Sequence, residues 1–386
     1  MANRVVIILI ALAIAAGVGA MYMLRGEGQS SSNAAALGQT LFPQLKAADV
    51  TKVTVAEPKG SINLEKKDGR WIIAEAGGFP ADIEKVSELV VKVLELKTGQ
   101  TEPIAEKERA RMQLAAPGKG EGAATVVTLK AADGKVLAEL LVGKKYFKTQ
   151  PEGDASKALG DGRFVMLPAD AARVIVVSDP LKQATTTVSE WVSREGVAIE
   201  NIKSIEVKVA DDGYKVTREH MDAAWVLEGK GGELDQNKAN GATYALAKVE
   251  VADVAAKDAD TGIDGTTLVT VTTFDGLEYR MKFGKVEKDR TYAQLVVDGT
   301  PARAAKQAPV GEKPEDKAKR EKAEAEETKR FTDRVAREKA LSTFTVLAVK
   351  GKLDDVIKKR SDMLKVEPKE EKKDEKKKDD KKGAKK

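Results

Sequence analysis

The chain has 386 residues, of which 42% are hydrophobic and only 4% aromatic, and its 66 Lys and Arg stand against 61 Asp and Glu. That length fills two or three aliphatic cores, and a formal charge of +5 on so mixed a surface is not the basic face that nucleic acid requires, so nucleic acid is excluded as a partner. With no cysteine, disulfides, thiolate metal sites, cysteine nucleophiles and a lipidated N-terminal cysteine are excluded as well.

Val5 to Leu24, "VVIILIALAIAAGVGAMYML", is uncharged over the length that spans a bilayer as a helix, with Arg4 and Arg25 at its ends. Residues 1–25 are therefore read as one N-terminal transmembrane anchor. A cleaved signal peptide is the alternative, since Val18-Gly19-Ala20 offers small residues at a cleavage point, but Met21 to Leu24 continue the apolar run. The short N-terminal tail stays inside and the long polar remainder is exported. Residues 26–40, which include "GEGQSSSNAAALG", read as a flexible tether.

Alternating runs then begin, at Lys52–Val55, Ile62–Leu64 and Trp71–Ala74, with glycine-bearing turns between them, the pattern of an antiparallel meander. Pro80 and Asp82 open a helix whose stripe is Ile83, Val86, Val90, Val93 and Leu96. Further strands fall at Thr125–Leu129, Val136–Val142 and Arg163–Leu167.

The second half replays these landmarks in order. Asp49 to Val55 corresponds to Asn201 to Val207, and Trp71-Ile72-Ile73 returns as Trp225-Val226-Leu227. Thr125–Leu129 returns as Thr267–Val271, and Gly143-Lys144 as Gly284-Lys285. Phe164–Leu167 is matched with Phe344–Leu347. The expected fold class is α+β, a tandem duplicated antiparallel sheet-plus-helix unit, with repeats at 41–182 and 183–365.

The second repeat carries an insert at about 302–340, "EKPEDKAKREKAEAEETKRFTDRVAREKAL", rich in helix formers and in opposite charges such as Glu315 with Lys319 and Asp316 with Arg320. Its apolar residues are few until Phe331, Val335 and Leu341. It reads as a solvated helix or as an arm that meets a partner subunit, and deleting Glu312 to Lys339 is expected to spare the repeats. The tail, 366–386, mixes Lys with Glu and Asp and is expected to be disordered.

No motif carries chemistry. His220, the single histidine, falls in a turn, too isolated for a triad or a zinc site. Gly118, Gly120 and Gly122 precede a strand, whereas a phosphate loop opens a helix. Asp258, Asp260 and Asp264 lack the glycine and glutamate of a calcium loop. No catalytic, cofactor-binding or metal residue is assigned, and no cofactor is expected. Trp71 and Trp225, at one repeated strand position, read as packing anchors and not as stacking platforms.

The stretches "LFPQLKAADVTKVTV" with "DGRWIIAE", the helix after "GGFPAD", and "ARMQLAAP" followed by "VVTLKAADGKVLAELLVGK" resemble the bacterial membrane-anchored domain-of-unknown-function 4340 (DUF4340) family. The likeness runs from Leu41 to Lys365. Family members usually show Gly-Leu where this chain has Gln113-Leu114. The resemblance carries over no catalytic residue. It implies a place beside components of ABC-type transporters related to gliding motility. The expectation is a non-enzymatic, single-pass protein of the bacterial inner membrane, its bulk extracytoplasmic or periplasmic. Its tandem domains would bind or scaffold partners in an ABC-type transport or envelope complex. The alternative is a stand-alone module that binds cell-envelope polysaccharide or peptidoglycan.

Overall fold

The computed structural model describes residues 37–118, 120–149, 151–155, 157–263, 267–300 and 312–365. The expected anchor, most of the tether and the tail lie outside the described residues. Among the described residues, no helix is long and apolar enough to cross a membrane. The protein is α+β, with two large antiparallel sheets and few helices. It divides into two units: the first runs to Gly196 and adds Glu250–Asp260 and Phe344–Ala348, and the second takes Val197–Val249, Thr261–Thr343 and the chain from Val349.

In the first unit, β1 (Lys52–Glu57), β2 (Gly60–Lys67), β3 (Arg70–Ile73) and β4 (Phe79–Pro80) precede helix α1 (Ile83–Glu95). Then come β5 (Thr101–Pro103), β6 (Thr125–Lys130), β7 (Val136–Tyr146), β8 (Gly162–Met166) and β9 (Arg173–Val177). They form one sheet in the order β4-β3-β2-β1-β6-β7-β8-β9-β5. Asp68 and Gly69 both hold positive φ between β2 and β3, the two-residue hairpin turn that matches strand twist. Alternation puts Val53 and Val55 of β1 on the buried face, while Leu140 to Val142 of β7 are buried on both faces.

Asp82 caps α1 by accepting from the N–H groups of Glu84 and Lys85. Val86, Leu89, Val90 and Val93 fill the core. Ile83, expected on that stripe, is 59% exposed in the first turn, and Leu89 takes its share of the burial. A second apolar cluster forms around Ile104, Leu114, Leu141 and Met166.

β10 (Glu195–Val197) follows, and the second unit continues with β11 (Ile202–Val209), β12 (Asp212–Thr217), β13 (Val226–Leu227) and helix α2 (Gln236–Leu246). After β14 (Val249–Val254) come β15 (Thr267–Thr273), β16 (Leu277–Glu287), β17 (Arg290–Gly299), helix α3 (Pro314–Ala340) and β18 (Thr345–Val349). Six strands of the second sheet fall in the second unit, in the order β17-β16-β15-β11-β12-β13.

The two sheets share registers. Val53 pairs with Leu64 and Leu129, and Val55 with Ile62 and Val127. Ile205 pairs with Val216 and Val271, and Val207 with Tyr214 and Val269. All twelve side chains are buried. Asp235 caps α2 through the Asn237 N–H as Asp82 caps α1. Gly143 and Gly284 each sit where the ladder to the next strand shifts register, after Val142 and after Phe283. A methyl group at Gly143 would collide with the Met112 carbonyl oxygen, and one at Gly284 with that of Thr261.

Element order corrects one landmark. β17, not singled out in the sequence, stands in the chain where β8 stands in the first half, so Phe344–Leu347, which runs into β18, answers to β9 and not to Phe164–Leu167, which runs out of β8. In keeping with this, β5 pairs with β9 and β14 with β18.

Candidate functional site

The motifs weighed in the sequence are turns and packing points. His220 is exposed and closes a turn in which its carbonyl accepts from the Ala223 N–H. Gly122 holds φ +76, and a methyl group there would collide with the Ala110 backbone, so close chain approach accounts for it. Asp258 and Asp260 are exposed, and Asp264 lies outside the described residues. Among the described residues, no three His, Asp or Glu side chains gather as a metal site.

Trp71 and Trp225 are both buried. The Trp71 carbonyl accepts from the Ala81 N–H at the mouth of α1. The Trp225 indole N–H donates to Asn240 Oδ1 on α2 at 3.2 Å, and the Arg218 guanidinium lies 4.6 Å from the ring centroid. The Gln236 side-chain amide also brackets the Trp225 backbone, accepting from its N–H and donating to its carbonyl.

Helix α3 is the most distinctive feature of the second unit. None of its residues before Phe331 is buried, whereas Phe331, Val335 and Glu338 are. The exposed stretch from Pro314 to Arg330 is about 25 Å long. Ion pairs hold it: Lys317 with Glu321, Lys329 with Asp333, and Arg320 with both Glu312 and Glu324. Glu312, just ahead of the helix, takes the Arg320 fork through both oxygens at 2.8 and 3.0 Å; Arg320 takes these partners and not the expected Asp316.

The foot of this arm is fixed by Glu338, which is 2% exposed. One carboxyl oxygen accepts from the Ala198 N–H and the other from the Tyr279 hydroxyl, each at 2.9 Å. Burial pushes the Glu338 carboxyl above its ordinary range, against the opposing pull of those two donors and of Arg334 and Arg337. Burial and the Glu338 charge likewise push the Tyr279 hydroxyl upward. Arg334 pairs with Glu200 at 2.9 Å, and its guanidinium lies 5.2 Å from the Phe331 ring. The deletion of Glu312 to Lys339 would thus remove core residues, and a cut that spares the core stops at Arg330.

In the first unit a cavity of about 480 Å³ opens between α1 and the segment 182–191. Lys85 and Glu88 line it from the helix, and Lys182, Gln183, Thr185 and Thr187 from the segment. Trp191, 1% exposed, closes it below. Gln183 donates to Glu88, while its carbonyl oxygen is buried with no hydrogen-bond partner. No sequence motif marked this place, because its residues are far apart in the chain and individually ordinary.

Antiparallel sheets with aspartate-capped helices, structural tryptophans and a charged helical arm define an α+β protein of two units. The family model described as domain of unknown function (DUF4340) matches residues 71–266, half of the chain, and the chain belongs to that family. No curated protein and no solved structure matches it. The matched range ends before β15, so α3 lies beyond it.

Proposed function

We propose that the chain is a non-enzymatic, single-pass membrane protein whose extracytoplasmic, tandem-duplicated domains scaffold other components of an ABC-type transport or envelope complex. The shared registers of the two sheets and the paired caps support the duplication. The uncharged run from Val5 to Leu24 supports the anchor. The observation that carries the scaffold reading is α3: a long, charged helix that buries its foot and leaves the rest exposed. A helix polar on all sides that is held by its own ion pairs suits a bridge between proteins. The family resemblance supplies the kind of partner, transporter components.

Affinity purification of the full chain from detergent-solubilised bacterial membranes tests this. Recovery of transporter subunits, lost when Pro314 to Arg330 is replaced by a short Gly-Ser linker, is the expected result. Absence of such subunits, with retention of the chain on cell-wall material, would sink the scaffold reading in favour of an envelope-binding module.

A further inference from the structure

The ion pairs that stiffen α3 leave one of its faces unused. Lys317 holds Glu321, and Arg320 holds Glu312 and Glu324, all on the side away from a stripe made of Glu315, Lys319, Lys322, Glu326 and Arg330. Spacings of four, three, four and four residues keep these five on one face of the helix, and all five are exposed. Opposite charges stand four residues apart within the stripe, yet among the described residues none of the five makes an ion pair. Arg330 donates only to the backbone, from Nε to the Glu326 carbonyl oxygen at 3.4 Å.

The order of signs along the stripe complements its own reverse. A second α3 laid antiparallel, with a twofold axis between residues 322 and 323, sets Glu315 against Arg330 of the second copy and Lys319 against Glu326 of the second copy. The twofold axis repeats both pairs. Lys322 then comes within one helical turn of that same Glu326, and the small side chain of Ala323 leaves room beside the axis. A parallel copy in register would instead set every charge against its like. Exposed ion pairs are individually weak and do not join two free chains in dilute solution. Chains anchored in one membrane are already concentrated in a thin layer, and there a few complementary pairs suffice to select partner and register.

We propose that α3 pairs antiparallel with α3 of a second copy of this chain through these five residues. The proposal rests on the scaffold reading, its anchor included, and adds that the scaffold is built from paired copies, so that two sets of transporter contacts are held at once.

The chain has no cysteine, so single cysteines report the pairing cleanly. In bacterial membranes that hold the full chain, Ala323→Cys treated with bismaleimidoethane is expected to give a covalent dimer. Ala318→Cys, which the antiparallel register sets about 13 Å along the axis from its mate, gives none. In the Ala323→Cys background, Lys319→Glu sets glutamate against glutamate twice and lowers the dimer yield about tenfold, and adding Glu326→Lys restores it. Raising salt from about 0.1 M to about 1 M lowers the yield as well. No dimer from Ala323→Cys, equal dimer from Ala318→Cys, crosslinks to a different protein in place of a second copy, or an undiminished yield in Lys319→Glu overturns the pairing. Transporter subunits that co-purify with a chain forming no dimer overturn this inference and leave the scaffold reading standing. A dimer formed without transporter subunits upholds the pairing while sinking that reading, and a chain that does not enter the membrane overturns both.

Discussion

At the scale of single residues, the repeated positions are structural, and their variants should behave as pairs. Trp225→Ala removes a buried indole together with its bond to Asn240 and is expected to cost about 3–5 kcal/mol in urea unfolding. Trp71→Ala should fall at the low end of the same range. Gly143→Ala and Gly284→Ala each drive a methyl group into a carbonyl oxygen, so each is expected to destabilise by about 1–3 kcal/mol. A large loss at one glycine with none at the other would break the equivalence of the two bulges. Gln113 tells a different story. It holds φ +55 at the end of a short helical turn, where the resembling family usually has glycine. Gln113→Gly should therefore stabilise by about 0.5–1 kcal/mol, read from the same unfolding curves. The departure was visible in the sequence, but its strain became legible only with the backbone angle.

At the scale of elements, the meander, the capped helix and the paired tryptophans were legible because alternation, turn glycines and an aspartate cap are local signals. β17 was not, because nothing in "RTYAQLVVDG" restates the residues of β8; only element order aligns them. Leu89 was missed for a similar reason, since a helical stripe read from spacing alone does not say where the covered turn begins. The foot of α3 was half legible: Phe331, Val335 and Leu341 stood out, while Glu338 looked like one more surface charge. Its burial depends on Tyr279 and Ala198, which are distant in sequence. A carboxyl held above its unfolded value keeps its proton in the fold to a higher pH than in the unfolded chain. Its contribution is full below the unfolded value and is lost as pH rises through the folded one. Glu338→Gln, which imitates the protonated form, is expected to gain on the native chain as pH rises above the ordinary carboxyl range. An unchanged gap across that rise, measured by urea unfolding at each pH, would place the carboxyl in its ordinary range.

At the scale of the whole molecule, the sequence disclosed two antiparallel sheets and a charged helix and left the cavity beside α1 hidden. The cavity in the first unit draws on α1 and on a segment about a hundred residues later, a juxtaposition that no local pattern announces. The arm was plain from composition, yet its division into a buried foot and an exposed stretch from Pro314 to Arg330 belongs to the fold. That exposed stretch bears the central claim. Its most direct test is site-specific photo-crosslinking in living bacteria from Lys319 and Glu326, with Val136, an exposed strand residue of the first unit, as the control position. The scaffold account predicts discrete adducts to a membrane-complex protein from both arm positions and none from position 136. Arm positions that crosslink no better than position 136 would contradict it.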